Sequence, residues 1–168
     1  MTLTEDDTRS RTITWTDPAR TRFELRNRDG YERLRAIQRG EAGPPPAVAA
    51  LGLTLDEVKR GRTVFSLVAD ELHENPMGTM HGGVLATLVD TAMGCAVAST
   101  LPADATFTTL ELSTRYLRAI TTATGKVHAE GRVVHAGSRI ASTEARVYDD
   151  AGNLYAQATS TCMIMRRK

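Results

Sequence analysis

One stretch, His81 to Ser99, carries apolar or small residues on every side of a 3.6-residue period, with Asp90 as its one carboxylate. A helix that is hydrophobic all round is a buried one, so the pattern predicts a long helix at the centre of the molecule. On both sides of it the period falls to two. Leu51, Leu53 and Leu55 alternate, and Val64, Ser66 and Val68 alternate against Phe65, Leu67 and Ala69, with a turn at Gly61. His73 to Met80 reads as a loop rich in turn residues that delivers the chain to Gly82-Gly83.

Beyond Pro102 the pattern is strand throughout. Residues 106–118 place Leu110, Leu112 and Tyr116 on one face and Thr109, Glu111, Ser113 and Arg115 on the other. A strand over 125–135 follows, with a tight turn at Ala136-Gly137-Ser138. Ala141, Thr143, Ala145 and Val147 then alternate with polar partners. Asp149 to Asn153 is a hairpin turn, and Leu154, Ala156, Ala158, Ser160, Cys162 and Ile164 share a face of the last strand. Two strands thus turn small residues inward, toward a helix itself rich in Ala and Gly. The architecture this implies is α+β, one long buried helix wrapped by a curved antiparallel sheet of five to six strands.

The N-terminal part differs. Residues 1 to about 20 are polar and aperiodic and predict a loosely attached arm. From Arg22 to Arg39 the spacing of Tyr31, Leu34 and Ile37 predicts a helix. Seven arginines between Arg20 and Arg39 face only Glu24, Asp29 and Glu32. A solvated basic helix with a narrow apolar edge is favoured over a basic flap for an anionic ligand. Gly43-Pro44-Pro45-Pro46 ends it as a stiff spacer. Residues 1–46 therefore read as an extension and 47–168 as the domain proper.

Composition narrows the function classes. Lys plus Arg number 21 against 20 Asp plus Glu, a net charge of +1, which argues against nucleic-acid binding driven by phosphate neutralisation. No apolar run long enough to span a membrane lacks a charge. The first residues lack a basic start and an apolar run, so no signal peptide is expected and a cytoplasmic location is the default. Cys95 and Cys162 read as core residues. His73, His128 and His135 have no metal-ligand spacing and read as surface or strand residues, so no metal is expected.

The candidate chemistry lies in the central helix. Asp90 has Ala86, Thr87, Met93 and Gly94 at three and four residues, and no cation. Gly82 and Gly83 sit where the helix begins, at the unpaired N–H donors and positive dipole end that bind an oxyanion or polarise a carbonyl. Asp90 lies eight residues on, roughly 12 Å along the axis and about 80° around it. One carbonyl cannot touch both from one helix. If they share a substrate, the helix end and the carboxylate come from different chains, which predicts a homo-oligomer with sites between subunits. The glycine pair serving only close packing is the alternative.

His81-Gly82-Gly83 followed by Asp90, with Asn75 six residues before His81, resembles the hotdog-fold acyl-CoA thioesterases of the phenylacetate-pathway (PaaI-like) type, over about residues 50–165. The resemblance implies hydrolysis of a coenzyme A thioester by dimers or homotetramers, without a cofactor, since coenzyme A is part of the substrate. It implies Asp90 as general base or nucleophile and Gly82 as the backbone donor to the carbonyl, with Gly83 beside it. Asn75 is implied to hold the carbonyl or the water, His81 to shape the loop, and Thr109 to orient the water. Gly137, Ser138 and Arg139 fall where family members touch coenzyme A. From the residues alone, Thr108 competes with Thr109, His81 reads equally as a cap, and Arg139 as a solvated turn residue. A hydratase or dehydratase of the same fold, or a non-catalytic acyl-CoA binder, are the rival functions.

Overall fold

The computed structural model describes residues 7–166. The long helix is present as expected. It is α4, Gly82–Ala98, 17 residues, capped by His81, whose Nδ1 accepts the Gly83 N–H at 2.9 Å. Three short helices precede it, α1 (Pro18–Glu24), α2 (Gly30–Gln38) and α3 (Pro46–Ala50). Six strands complete the chain: β1 (Thr54–Lys59), β2 (Arg62–Val68), β3 (Ala105–Tyr116), β4 (Lys126–Ala136), β5 (Ile140–Asp149) and β6 (Leu154–Arg166). They form one antiparallel sheet in the order β1-β2-β4-β5-β6-β3. The helix lies in the sheet's concave face, mainly against β4 and β2 and then β3.

Small residues let it settle there. Ala129, Ala145, Ala156 and Ala158 are buried beneath it. At Gly131 of β4 a Cβ would stand 2.5 Å from the Ala92 carbonyl carbon, so only glycine permits this approach. Thr63 of β2 donates its hydroxyl to the Ala92 carbonyl at 2.7 Å, so a polar group buried beneath the helix is satisfied. The β5–β6 hairpin is closed as the turn residues predict. Asp149 accepts from the N–H and side-chain amide of Asn153, both at 2.8 Å.

The structure corrects four local expectations. The helix expected over Arg22–Arg39 is two, α1 and α2, because Asp29 caps a new N-terminus through the Glu32 N–H at 2.9 Å. A side-chain acceptor at that position favours starting a helix over continuing one. The strand run begins at Thr54, since Pro46 starts a helical turn that carries Ala47–Ala50. In β3 a bulge between Thr109 and Glu111 leaves Leu110 unpaired and 54% exposed. The extra residue reverses the alternation, so Thr109 and Leu112 share the helix-facing side, opposite Cys162 and Ser160. His73 is buried rather than on the surface. Its Nε2–H donates to the Leu51 carbonyl at 3.1 Å and its Nδ1 accepts from the Asp70 N–H at 3.3 Å.

Residues 7–17 form no helix or strand longer than an isolated turn and are mostly exposed. Residues 1–6 of the expected arm lie outside the described residues. The arginines of α1 and α2 are largely engaged: Arg20 with Glu24, Arg28 and Arg39 with Glu41, Arg33 on the carbonyls of Leu25, Arg26 and Ala103. Among the described residues no helix is long and apolar enough to cross a membrane.

Candidate active site

The entry to α4 is a tightly wired turn. Asn75 organises it. Its backbone N–H donates to the Thr79 carbonyl, its Oδ1 accepts the Met77 N–H, and its Nδ2 donates to Thr79 Oγ1 at 3.0 Å. The His81 N–H donates to the His73 carbonyl at 2.7 Å, which ties the turn to the buried histidine. At the first helical residues the backbone groups divide their work. The Gly83 N–H is committed to His81 Nδ1. The Gly82 carbonyl accepts the Tyr116 hydroxyl at 2.9 Å. The Gly82 N–H makes no hydrogen bond among the described residues, as the first turn of a helix dictates.

A cavity of about 420 Å³ opens over this donor, lined by Asn75, Met77, Gly82, Tyr116, Arg118 and Ile120. Tyr116 covers Gly82 closely: a Cβ there would stand 3.2 Å from the phenol oxygen. A side chain at this position would press the Tyr116 ring aside by a few tenths of an ångström.

Asp90 lies two turns further on, half-buried beside β3. Thr109 donates its hydroxyl to Asp90 Oδ1 at 2.9 Å. Thr108 is exposed on the opposite side of the strand, so it is Thr109 that reaches the carboxylate. Asp90 Oδ2 makes no hydrogen bond among the described residues, and no cation pairs with the carboxylate there. One oxygen is thus oriented by a hydroxyl and the other is left to act. Cys95, one turn along, has its thiol pushed up to about 12, by burial first and the Asp90 charge second. It is half-buried rather than the full core residue expected, whereas Cys162 is buried, and burial raises its thiol too.

The structure brings Asn75, His81, Gly82 and Gly83 together at one end of α4, and Asp90 with Thr109 at its middle. It does not bring the two groups together within the chain. Gly137, Ser138 and Arg139 are farther still. They form the β4–β5 turn beside Ile140 and Ile164, next to the apolar cluster of Val97, Ala141 and Cys162 at the helix C-terminus. Tyr116 had no role assigned from sequence. Its signals were its place on the apolar face of its strand and the Tyr116-Leu117-Arg118 segment, which the resemblance includes.

A long helix in the concave face of a six-stranded antiparallel sheet is the hotdog fold. The thioesterase superfamily model matches residues 77–156. A protein of Halobacterium salinarum named as an esterase is 33% identical over 118 residues, 67% of this chain and 76% of that one. The 1,4-dihydroxy-2-naphthoyl-CoA hydrolase of Listeria monocytogenes is 24% identical over 70% of this chain and 94% of its own. Among solved structures, a phenylacetic acid degradation-related protein of Ralstonia eutropha superposes with a TM-score of 0.71 at 30% identity, over 77% of this chain and 98% of that one. The chain belongs to the thioesterase superfamily, and it is a hydrolase of the PaaI-like type.

Proposed function

We propose that the protein hydrolyses the thioester of an acyl-CoA to the free acid and coenzyme A, at sites shared between two copies of the chain. The carrying observation is a pair of groups on α4 left unsatisfied among the described residues: an N–H at Gly82 with no acceptor, and an oxygen of Asp90 with no donor. Thioester hydrolysis needs one of each, a donor aimed at the developing oxyanion and a base for water. Roughly 12 Å of helix separates them, so a second chain supplies the complement, as a dimer or within a homotetramer.

In this reading Asp90 Oδ2 takes a proton from water as its oxygen attacks the carbonyl carbon. Thr109 holds the carboxylate in place through Oδ1. The Gly82 N–H of the facing chain receives the negative charge forming on the carbonyl oxygen. Collapse expels the coenzyme A thiolate, which takes up a proton. In the alternative form of this reading the same oxygen attacks as a nucleophile, expelling the coenzyme A thiolate and giving an anhydride that water then opens. Asn75 acts by holding the turn, and in this reading its side-chain amide helps hold the carbonyl or the water. Gly137, Ser138 and Arg139 reach coenzyme A only across a subunit boundary. The substrate class draws support from the Listeria relative, a CoA-thioester hydrolase by name, and such substrates suit a cytoplasmic enzyme without a cofactor.

The test is release of free thiol from short, medium, long and aromatic acyl-CoAs, repeated with Asp90→Asn. The variant is expected to lose about 10²-fold or more in kcat with its fold and oligomeric state intact. Full activity in Asp90→Asn would remove the mechanism. Tight binding of acyl-CoA without thiol release would instead make the protein a binding module.

A further inference from the structure

The N-terminal extension presents a surface that the candidate active site does not use. Of the chain's four tryptophan and phenylalanine residues, Phe65 and Phe107 are packed into the body. Trp15 and Phe23, both in the extension, are 60% and 64% exposed. Between them α1 has no buried residue. The segment is nevertheless held in place. Thr16 lies against Gly43, where a Cβ would stand 2.6 Å from its hydroxyl oxygen, and Leu25 is buried with Ala36 and Ala42. Arg33 Nε donates to the Leu25 carbonyl at 3.1 Å. The chain is thus fixed on both sides of α1, buries the smaller Leu25, and turns the larger Phe23 outward. Large apolar groups held outward in this way make a contact surface.

The charge around the two rings selects the partner. Six arginines from Arg9 to Arg28 stand against two carboxylates, Asp17 and Glu24, in a chain whose net charge is +1. Asp17 caps α1 by accepting the Ala19 N–H at 2.8 Å, and Glu24 pairs with Arg20. Arg9 pairs with Glu71 and Arg28 with Glu41. Arg11, Arg22 and Arg26 have no carboxylate partner among the described residues. The Arg26 guanidinium lies over the Phe23 ring at 3.9 Å, so cation and ring share one spot. Aromatic rings beside arginines suit the boundary of an anionic bilayer. The ring enters the edge of the acyl region, and the guanidinium stays with the headgroup phosphates. A second copy of this surface would bring like charges together. An acidic protein answers the arginines alone, whereas a bilayer answers the arginines and the projecting rings together.

We propose that this face of the extension docks on a membrane surface bearing anionic phospholipid. The contact is peripheral, since α1 has only seven residues, and a shallow anchor of this kind is reversible. Trp15 and Phe23 enter the interface, and Arg11, Arg22 and Arg26 meet the phosphates. Neither Asp90 nor Gly82 takes part, so the docking stands whatever thioester the enzyme cleaves.

The test uses the full chain with vesicles of phosphatidylcholine alone, and of phosphatidylcholine and phosphatidylglycerol in about equal parts. Co-sedimentation should show binding to the anionic vesicles about tenfold or more stronger than to the neutral ones, and weaker as salt is raised. Trp15 is the chain's one tryptophan, so its emission should move to the blue on the anionic vesicles. Phe23→Ser should weaken binding about tenfold, and Arg22→Gln about fivefold. Thiol release from acyl-CoA in solution should be unchanged in both. Circular dichroism checks the fold, and Arg22→Gln decides alone if Phe23→Ser does not fold. Equal binding to both kinds of vesicle, or to neither, would overturn the proposal. So would sedimentation with the Trp15 emission unmoved, because the contact then lies elsewhere. An emission already blue and shielded from acrylamide without vesicles would also overturn it, because another copy of the chain then covers this face.

Discussion

The two halves of α4 are incomplete in opposite senses. At its start the backbone is held on several sides. His81 holds the Gly83 N–H, Tyr116 holds the Gly82 carbonyl, and Asn75 holds the approaching turn, leaving the Gly82 N–H as a rigid donor. At its middle Asp90 has a single partner, the Thr109 hydroxyl, and a free oxygen in a half-buried setting. A preorganised donor suits an oxyanion, which needs fixed dipoles. A loosely held carboxylate suits a base, which must meet water and release a proton. The contrast explains why one helix carries both groups and yet neither completes the other.

The largest effect should come from mixing two inactive chains. Asp90→Asn lacks the base. Gly82→Val puts a branched side chain against Tyr116, where even a Cβ stands 3.2 Å from the phenol oxygen, and it blocks the donor. Each alone should retain about 1% of activity or less. In hybrids formed by co-expression one of the two sites is intact, so random pairing should restore roughly a quarter of the activity. No recovery would mean that both groups act within one chain, and the helix geometry would have to bend to allow it.

Smaller effects should distinguish the supports of each half. Thr109→Val removes the hydroxyl that orients Asp90. A hydrogen bond to a charged group is worth about 1.5–3 kcal/mol, so kcat should fall about tenfold or more. Tyr116→Phe removes a neutral bond to a carbonyl, worth about 1 kcal/mol, and a fall of about fivefold is expected. Steady-state kinetics on one acyl-CoA would compare the two. The reverse order would mean that the donor end, not the carboxylate, is the more delicately held half.

Much of this arrangement was legible beforehand because its signals are local and repeated. The apolar run after Gly82-Gly83 could only be a buried helix. The small-residue faces of β5 and β6 follow from period-two alternation, and the close approach at Gly131 follows from what they imply. The facing of Thr109 was not legible. It depends on one unpaired residue, Leu110, and a bulge leaves the alternation on either side intact while reversing its sense. The break between α1 and α2 had a signal, Asp29 three residues before Glu32, that the helical spacing of Tyr31, Leu34 and Ile37 overrode. The burial of His73 also had one, Asp70 at capping distance. The cavity over the Gly82 N–H had none, because its wall joins the turn at Asn75, the start of α4 and the end of β3, and no local pattern records where distant elements meet.

The smallest expected effect is that of Asp90 on a neighbouring thiol. Cys95 reports on it, since its thiol is raised to about 12 by burial and, secondarily, by the Asp90 charge. A thiol reacts with iodoacetamide as the thiolate, so near neutral pH Cys95 should alkylate far more slowly than an ordinary cysteine, and faster as pH rises. Asp90→Asn removes a negative charge that disfavours the thiolate. The sign is therefore a lower thiol pKa and faster alkylation at any fixed pH below 12. Burial remains the larger cause, so the acceleration should stay below about tenfold, short of the rate of an exposed cysteine. Cys162 also feels Asp90, and its burial calls for Cys162→Ala in both proteins, so that the rate belongs to Cys95 alone. Alkylation unchanged by Asp90→Asn would mean that the carboxylate does not act on the thiol, and that the two side chains stand farther apart than the helix places them.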